Sequence, residues 1–468
     1  MFFKFLSFIL LTALWWAALW LALPVEWLQG SLASLAGLHA GPPALVAATW
    51  WAGKRAWNWR KNRAEKRAKA AETAKTEANL AAEKAAHEEK QSKRRAYLHC
   101  RAVWAELTNA PTWVEACTDQ CVLFEQLPQN IQGKGSSAVL TASLEQVFEA
   151  AFQQCHATAW LPVMLVSKDP TQLALVGQAW RSALARGIAH PTQFRGTLFE
   201  SDHTALFSHL IAQFEADPTL PAIIVVGMCS PLADADSPTV PLGHAVVGIL
   251  LSHPNLVDPG EPETEIDDDQ TDDTLRPFWE KSQPHEANPA QWDRIPPLLR
   301  QDLWNLYPFA SLHRPSTATV LEFKRNSTKA QKIQGAIQAA FDDAGLRNLP
   351  FEEGVAPGSA PELPDPFGWI VHNVASNRTD VLASAIRDCG SEIDVISDAC
   401  DLKQEHGGVG TAESVLALAE ASILAMQLQK PVLTALCNEK DSFSVSFACP
   451  VIATGTSDAE PTIASPNE

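Results

Sequence analysis

Several short runs of nearly unbroken apolar residues decide what most of this chain can fold into. LPVMLVS (161–167), PAIIVVGM (221–228), LGHAVVGILLSHP (242–254), FGWIVHNVA (367–375), IDVISDAC (393–400), KPVLTALCN (430–438) and DSFSVSFACPVIA (441–453) read as strands. A strand with one wet face alternates apolar and polar residues, whereas runs apolar at both parities need cover on both faces. QLALVGQAWRSALARG (172–187), TALFSHLIAQFEAD (204–217) and RTDVLASAIRDCG (378–390) have helical spacing and supply that cover, with Ser201, Asp202 or Thr204 as cap candidates for the second. The pattern predicts an α/β body with buried sheets in two halves, 98–255 and 301–453, the second repeating the logic of the first.

Between the halves, residues 256–300 form an expected acidic, proline-rich loop: LVDPGEPETEIDDDQTDDTLRP (256–277) holds nine acids and three prolines. Asp267, Asp268 and Asp269 lack the spacing of a calcium loop, so a solvated segment is expected. APGSAPELPDPFG (356–368) reads as a second linker, and 454–468 as a disordered tail.

The N-terminus adds a membrane expectation. FKFLSFILLTALWWAALWLAL (3–23) is long and apolar enough to span a bilayer. A second stretch, 31–52, is interrupted by Gly41-Pro42-Pro43. Tryptophans 50, 51, 57 and 59 suit an interfacial belt, and the basic run from Lys54 onward places the remainder of the chain in the cytoplasm. Residues 1–53 are therefore read as a transmembrane hairpin. A cleaved signal peptide ending near Ala22 is the rival reading, disfavoured by its single basic residue and by the second apolar stretch. Residues 54–97, rich in Ala, Glu and Lys, read as a basic helical stalk whose basic half can rest on anionic lipid. They hold fourteen Lys/Arg against six Glu, so the acidity behind the net charge of −18 lies beyond them. That excludes a nucleic-acid partner for the body. Nine scattered cysteines, an odd number, read as buried thiols in a reducing compartment. Cys117-x3-Cys121 and Cys155-His156 have no second half-site, so no metal is expected.

The stretch QEHGGVGTAESVLALAEASILAMQLQKPVL (404–433) sets a glycine-rich start on a long apolar helix. It lacks the Lys-Ser/Thr of a phosphate loop and the full dinucleotide spacing, and no G-x-S-x-G elbow occurs in the chain. Gly407, Gly408 and Gly410 permit close backbone approach and unusual dihedrals, and Glu413 favours the helix dipole.

This stretch, with PAIIVVGM followed by PLGHAVVGILLSHP, resembles the thiolase-like fold of ketoacyl synthases over roughly residues 160–255 and 367–453. The resemblance implies a cysteine nucleophile at a helix start near Ser201-Asp202-His203-Thr204, and two basic side chains beside it. No cysteine stands there, and Cys229 follows a strand, on the wrong element. Gly407 occupies the place of one family histidine, with His406 one position early. His372 falls near the other, with Asp380 eight residues on. His372, Asp380, His406, Gly407 and Gly410 are thus candidates for a vestigial site, with no catalytic residue and no cofactor expected.

The overall plan of anchor, VWAELTNAPTWVEACTDQ (103–120), two-part body and GGVGTAES-type helix resembles the type VI secretion lipase-adapter family. That resemblance implies a non-catalytic adapter on the bacterial inner membrane, its body cytoplasmic, binding a phospholipase effector and loading it onto the secretion spike protein. The alternative is a diverged ketoacyl-synthase-like enzyme of lipid metabolism, and a third reading is a scaffold for a cell-envelope partner. Convergence of His372, His406 and a cysteine sulfur would favour the enzyme.

Overall fold

The computed structural model describes residues 2–22, 32–95, 97–107, 120–125, 136–184, 191, 193–200, 202–217, 220–229, 243–254, 256, 295–346, 367–391, 393–438 and 440–451. The chain divides into two compact units, Met1–Ala86 and His87–Glu468. The first contains α1 (Phe2–Ala22) and most of α2 (Leu32–Arg95). Helix α2 carries the second apolar stretch and the stalk as one element, continuing through Gly41-Pro42-Pro43 where an interruption is expected. The flanking Ala and Leu residues are strong helix formers and carry it past the two missing N–H donors. Among the described residues, only Gly410–Leu428 is a helix long and apolar enough to cross a membrane, and 78 % of that window is buried in the body; Thr12–Ala22 counts as a shorter apolar helix.

The second unit is a mixed α/β fold around a 12-stranded sheet. Its first half runs β1 (Tyr97–Leu107), β2 (Cys121–Glu125), α3 (Ser136–Gln154), β3 (Val163–Val166), α4 (Gln172–Leu184), β4 (Gly196–Phe199), α5 (Leu206–Ala216), β5 (Ala222–Cys229) and β6 (Ala245–Ser252). After α6 (Pro297–Asn305), the second half runs β7 (Ala310–His313), β8 (Ser316–Thr319), α7 (Asn326–Asp343), β9 (Trp369–His372), α8 (Thr379–Asp388), β10 (Ala399–Asp401), α9 (Leu402–His406), α10 (Glu413–Leu428), β11 (Val432–Cys437) and β12 (Ser442–Pro450).

The strand order is β10-β9-β11-β12-β7-β1-β6-β5-β3-β4. Outward from the antiparallel β7·β1 junction, both halves repeat one pattern. β1·β6 and β6·β5 are antiparallel, then β5·β3 and β3·β4 parallel. β7·β12 and β12·β11 are antiparallel, then β11·β9 and β9·β10 parallel. Strands β7 and β8 share the part that β1 plays alone, since β12 pairs with one near its end and with the other near its start. The α/β body with buried sheet that the apolar runs predict is this mixed fold around one large central sheet.

Period-two alternation divides the side chains among three cores. Ile224 and Val226 of β5 point to a cluster under α3, α4 and α6, while Ile223 and Val225 point to a shared central core. Leu433 and Ala435 of β11 face a cluster under α7 and α8, while Val432 and Leu436 face the same central core. That core is filled by α5 and α10, and α10 touches β5 and β6 of one half and β7, β9, β11 and β12 of the other. A helix covered by sheet on two sides must be apolar all round, which is why α10 passes for a membrane span by composition.

IDVISDAC is mostly turn, and only Ala399–Asp401 is strand. Asp394 and Asp398 accept hydrogen bonds from the Ile396 and Asp394 N–H groups (2.8 and 3.0 Å), so the local Asx turn displaces an extended conformation. Most of the expected acidic loop (257–294) lies outside the described residues. So do 108–119 with Cys117, the linker over 356–366, and the tail 454–468.

Candidate functional site at the seam between the halves

Helices α5 and α10 follow the two outermost strands of the sheet, β4 and β10, with α9 between β10 and α10. Each is preceded by a single 3-10 turn, His203–Ala205 and Gly410–Ala412. Each start is tied to the opposite half. Asp202 accepts from Thr204 N (3.1 Å) through Oδ1, and from Asn438 Nδ2, just beyond β11, through Oδ2. Thr411 Oγ1 donates to the Met228 carbonyl near the end of β5 (3.3 Å).

The seam around these starts is a closed polar network. Buried Asn373 donates to Glu413 Oε2 (2.8 Å) and to the Cys437 carbonyl (3.2 Å), and accepts from Cys437 N (2.7 Å). Asn438 Oδ1 holds the β11–β12 turn by accepting from Ser442 N (2.8 Å). Asp441, in the left-handed region at φ 52°, pairs with Arg378 at 2.5 Å, with Lys329 4.0 Å away. A buried amide that bonds on both its oxygen and its nitrogen is a positioning group, with little left to offer a ligand.

The glycines lie in the loop between α9 and α10. Asp401 caps α9 by accepting from Lys403 N and Gln404 N. Gly407 and Gly410 then take φ 73° and φ 51°, the left-handed region that favours glycine. The Gly408 carbonyl accepts from Gly243 N at 3.2 Å. The other side of the contact is equally tight. A Cβ on Gly243 would stand 1.8 Å from the His406 carbonyl oxygen, and one on Gly227 would stand 2.9 Å from Val415 Cγ2.

His406 is buried at the end of α9, with Nε2 2.6 Å from Glu420 Oε1, while the Cys400 thiol donates to Glu420 Oε2 at 2.8 Å. Burial opposes charge on His406, but the Glu420 hydrogen bond and the Glu420 and Glu405 carboxylates outweigh it and raise its pKa. Burial, Glu420 and Glu405 together push the Cys400 thiol far up. His372 is buried on β9, where its Nδ1 accepts from Val374 N (3.3 Å) and its Nε2 lies 3.4 Å from the Val395 carbonyl. Burial lowers its pKa, with Asp401 acting in the opposite sense. His372 and His406 share no hydrogen bond among the described residues. Asp380 is exposed in the first turn of α8 and makes no hydrogen bond or ion pair among the described residues. Of the five candidates, His406, Gly407 and Gly410 therefore sit together, His372 stands on its own strand, and Asp380 lies outside.

A second buried constellation was not singled out from sequence. Ser143 Oγ donates to Glu106 Oε1 (3.0 Å) and lies 3.2 Å from His244 Nε2, itself 3.6 Å from the same carboxylate oxygen. In a hydrolytic relay the carboxylate holds the ring nitrogen opposite the serine. Here it meets the serine side, so the trio is a polar tie between α3, β1 and the start of β6. Burial raises the Cys437 thiol and pushes Cys100, Cys155 and Cys449 to about 12. No group of three or more His, Cys, Asp or Glu among the described residues is arranged to hold a metal.

No family model and no curated protein matches the chain. Among solved structures it is similar to ChlB3, an acyltransferase, at 11 % identity and TM-score 0.40, over 76 % of this chain and 98 % of that one. It is similar to the 3-oxoacyl-[acyl-carrier-protein] synthase III of Aquifex aeolicus at 8 % and 0.38, over 75 % and 99 %. It is also similar to Xanthomonas campestris OleA with acetamide bound, at 11 % and 0.40, over 75 % and 98 %.

Proposed function

We propose that this chain is a membrane-tethered binding protein whose body keeps a thiolase-like scaffold without its nucleophile. The observation that carries the reading is the start of α5, where a condensing enzyme would present a thiolate. Asp202 stands there, with one oxygen capping Thr204 N and the other held by Asn438. A carboxylate is a poor nucleophile toward an acyl thioester, and this one is committed to structure. The raised thiols argue the same way, because nucleophilic cysteines depend on thiolate character.

Helices α1 and α2 provide the tether in this reading, with the body in the cytoplasm. The partner is the one implied by the lipase-adapter resemblance, a phospholipase effector handed to a secretion spike protein. A diverged condensing enzyme is the second reading, favoured by the convergence of Cys400 and His406 on Glu420. Against it, that thiol donates its proton to a buried carboxylate, which disfavours the thiolate.

Two measurements on the detergent-purified full chain separate the readings. Intact-mass spectrometry after incubation with acyl-CoA and acyl-carrier protein is expected to show no acyl adduct, and an adduct on any cysteine overturns the proposal. Affinity capture from a type VI-competent cell is expected to recover a lipase and a spike component. Recovery of acyl-carrier protein in their place supports the enzyme.

A further inference from the structure

Trp50, Trp51, Trp57 and Trp59 of α2 are all exposed, at 55 to 71 %. Three of them lie under a cation four residues on. Lys54 Nζ stands 5.3 Å from the Trp50 ring centroid, the Arg55 guanidinium 5.1 Å from Trp51, and that of Arg63 5.0 Å from Trp59. At about 100° per residue, Trp50 and Trp59 face opposite sides of the helix with Trp51 between them. A helix lying in the membrane plane gathers its aromatics on one face. A girdle running round the axis suits a helix that passes through the headgroup layer.

The girdle stands where apolar sequence gives way to basic. The backbone of each paired residue lies about 6 Å along the axis from that of its tryptophan, and the side chain folds back to set its charge over the indole, at the level of the ring. A guanidinium stacked on an indole still presents its N–H edge to oxygen acceptors. Zwitterionic lipid offers its phosphate already neutralised by an ammonium, whereas anionic lipid leaves it uncompensated. We propose that the girdle from Trp50 to Arg63 is a binding site for anionic phospholipid headgroups. The site rests on the reading that the N-terminal helices enter a membrane.

The test reconstitutes the full chain into vesicles of phosphatidylcholine alone and of phosphatidylcholine with phosphatidylglycerol, followed by flotation and native mass spectrometry of retained lipid. From the mixed vesicles, phosphatidylglycerol should be enriched about fivefold over its bulk share, the factor that one basic residue near an anionic surface is worth. The combined variant Lys54→Gln, Arg55→Gln and Arg63→Gln should still float but retain lipid at the bulk ratio. Flotation with both vesicle types and no enrichment in the parent chain removes this site alone. A chain that floats with neither removes the tether and this site together.

Discussion

At Gly243 an added carbon has nowhere to go, because the nearest atom is the backbone oxygen of His406 rather than a flexible side chain. Gly243→Ala should force the glycine loop off the ends of β5 and β6 and cost about 3 kcal/mol, read as a lowered urea midpoint at unchanged slope. Gly335→Ala is the contrasting case. It sits inside α7 with nothing near its Cβ position and should stabilise by about 0.5–1 kcal/mol in the same assay. Asp202→Ala removes a cap and the bond from Asn438, and should cost about 1–2 kcal/mol. Burial, then Arg101, His313 and His253, hold His99 down to about 3. Its unfolded form takes a proton below about 6.5 and its folded form does not. Its contribution is thus present above that pH and lost as pH falls toward 3. A His99→Phe variant should show a flatter acid limb, and an unchanged limb would contradict the assignment. At this scale the glycines were legible, since their need for a left-handed backbone and close approach follows from their type and clustering. The Asn373, Glu413 and Asn438 network was not, because its partners stand 40 to 236 residues apart.

Among the elements, α10 carries a fully buried carboxylate, Glu420, in the core that strands of both halves share. Removing one member of such a pair strands the other charge, so Glu420→Leu or His406→Leu alone should each cost about 3–5 kcal/mol. The double substitution should cost far less than the sum, and a double-mutant cycle on denaturation midpoints measures the coupling. The raised pKa of His406 sets the pH sense. Its contribution is fully present below its ordinary 6.5 and fades as pH rises through the higher folded value, so wild type and His406→Leu should converge at alkaline pH. Strands β5, β6 and β11 were readable because both their faces are apolar. β1, the longest strand among the described residues and one member of the central junction, hides in YLHCRAVWAEL. Arg101 and Glu106 interrupt its apolar pattern, yet both are buried and satisfied, the first by Ser252 Oγ and the Leu306 carbonyl, the second by Ser143. β7 and β8 have four residues each, too few for a period to register.

For the whole body, two copies of one topology share a core that neither can close alone. Residues 87–468 should therefore unfold in one transition, and residues 295–451 expressed alone should show no cooperative loss of circular dichroism, since the face of α10 that meets β5 and β6 would be bare. A sharp transition in that fragment would mean that the halves are independent. The repeated order of strands was visible in outline, as helices alternating with apolar runs. Their joining through β7 and β1 was not, because a pairing between halves leaves no local pattern. The shared helix also sets a timetable for synthesis. When β6 has been made, the inner face of the first half still waits for α10, which the ribosome reaches only after a further stretch as long as a small domain. At about 5–20 residues per second that is about ten to thirty seconds with a greasy surface uncovered, long enough for a chaperone to be the first protein this chain meets.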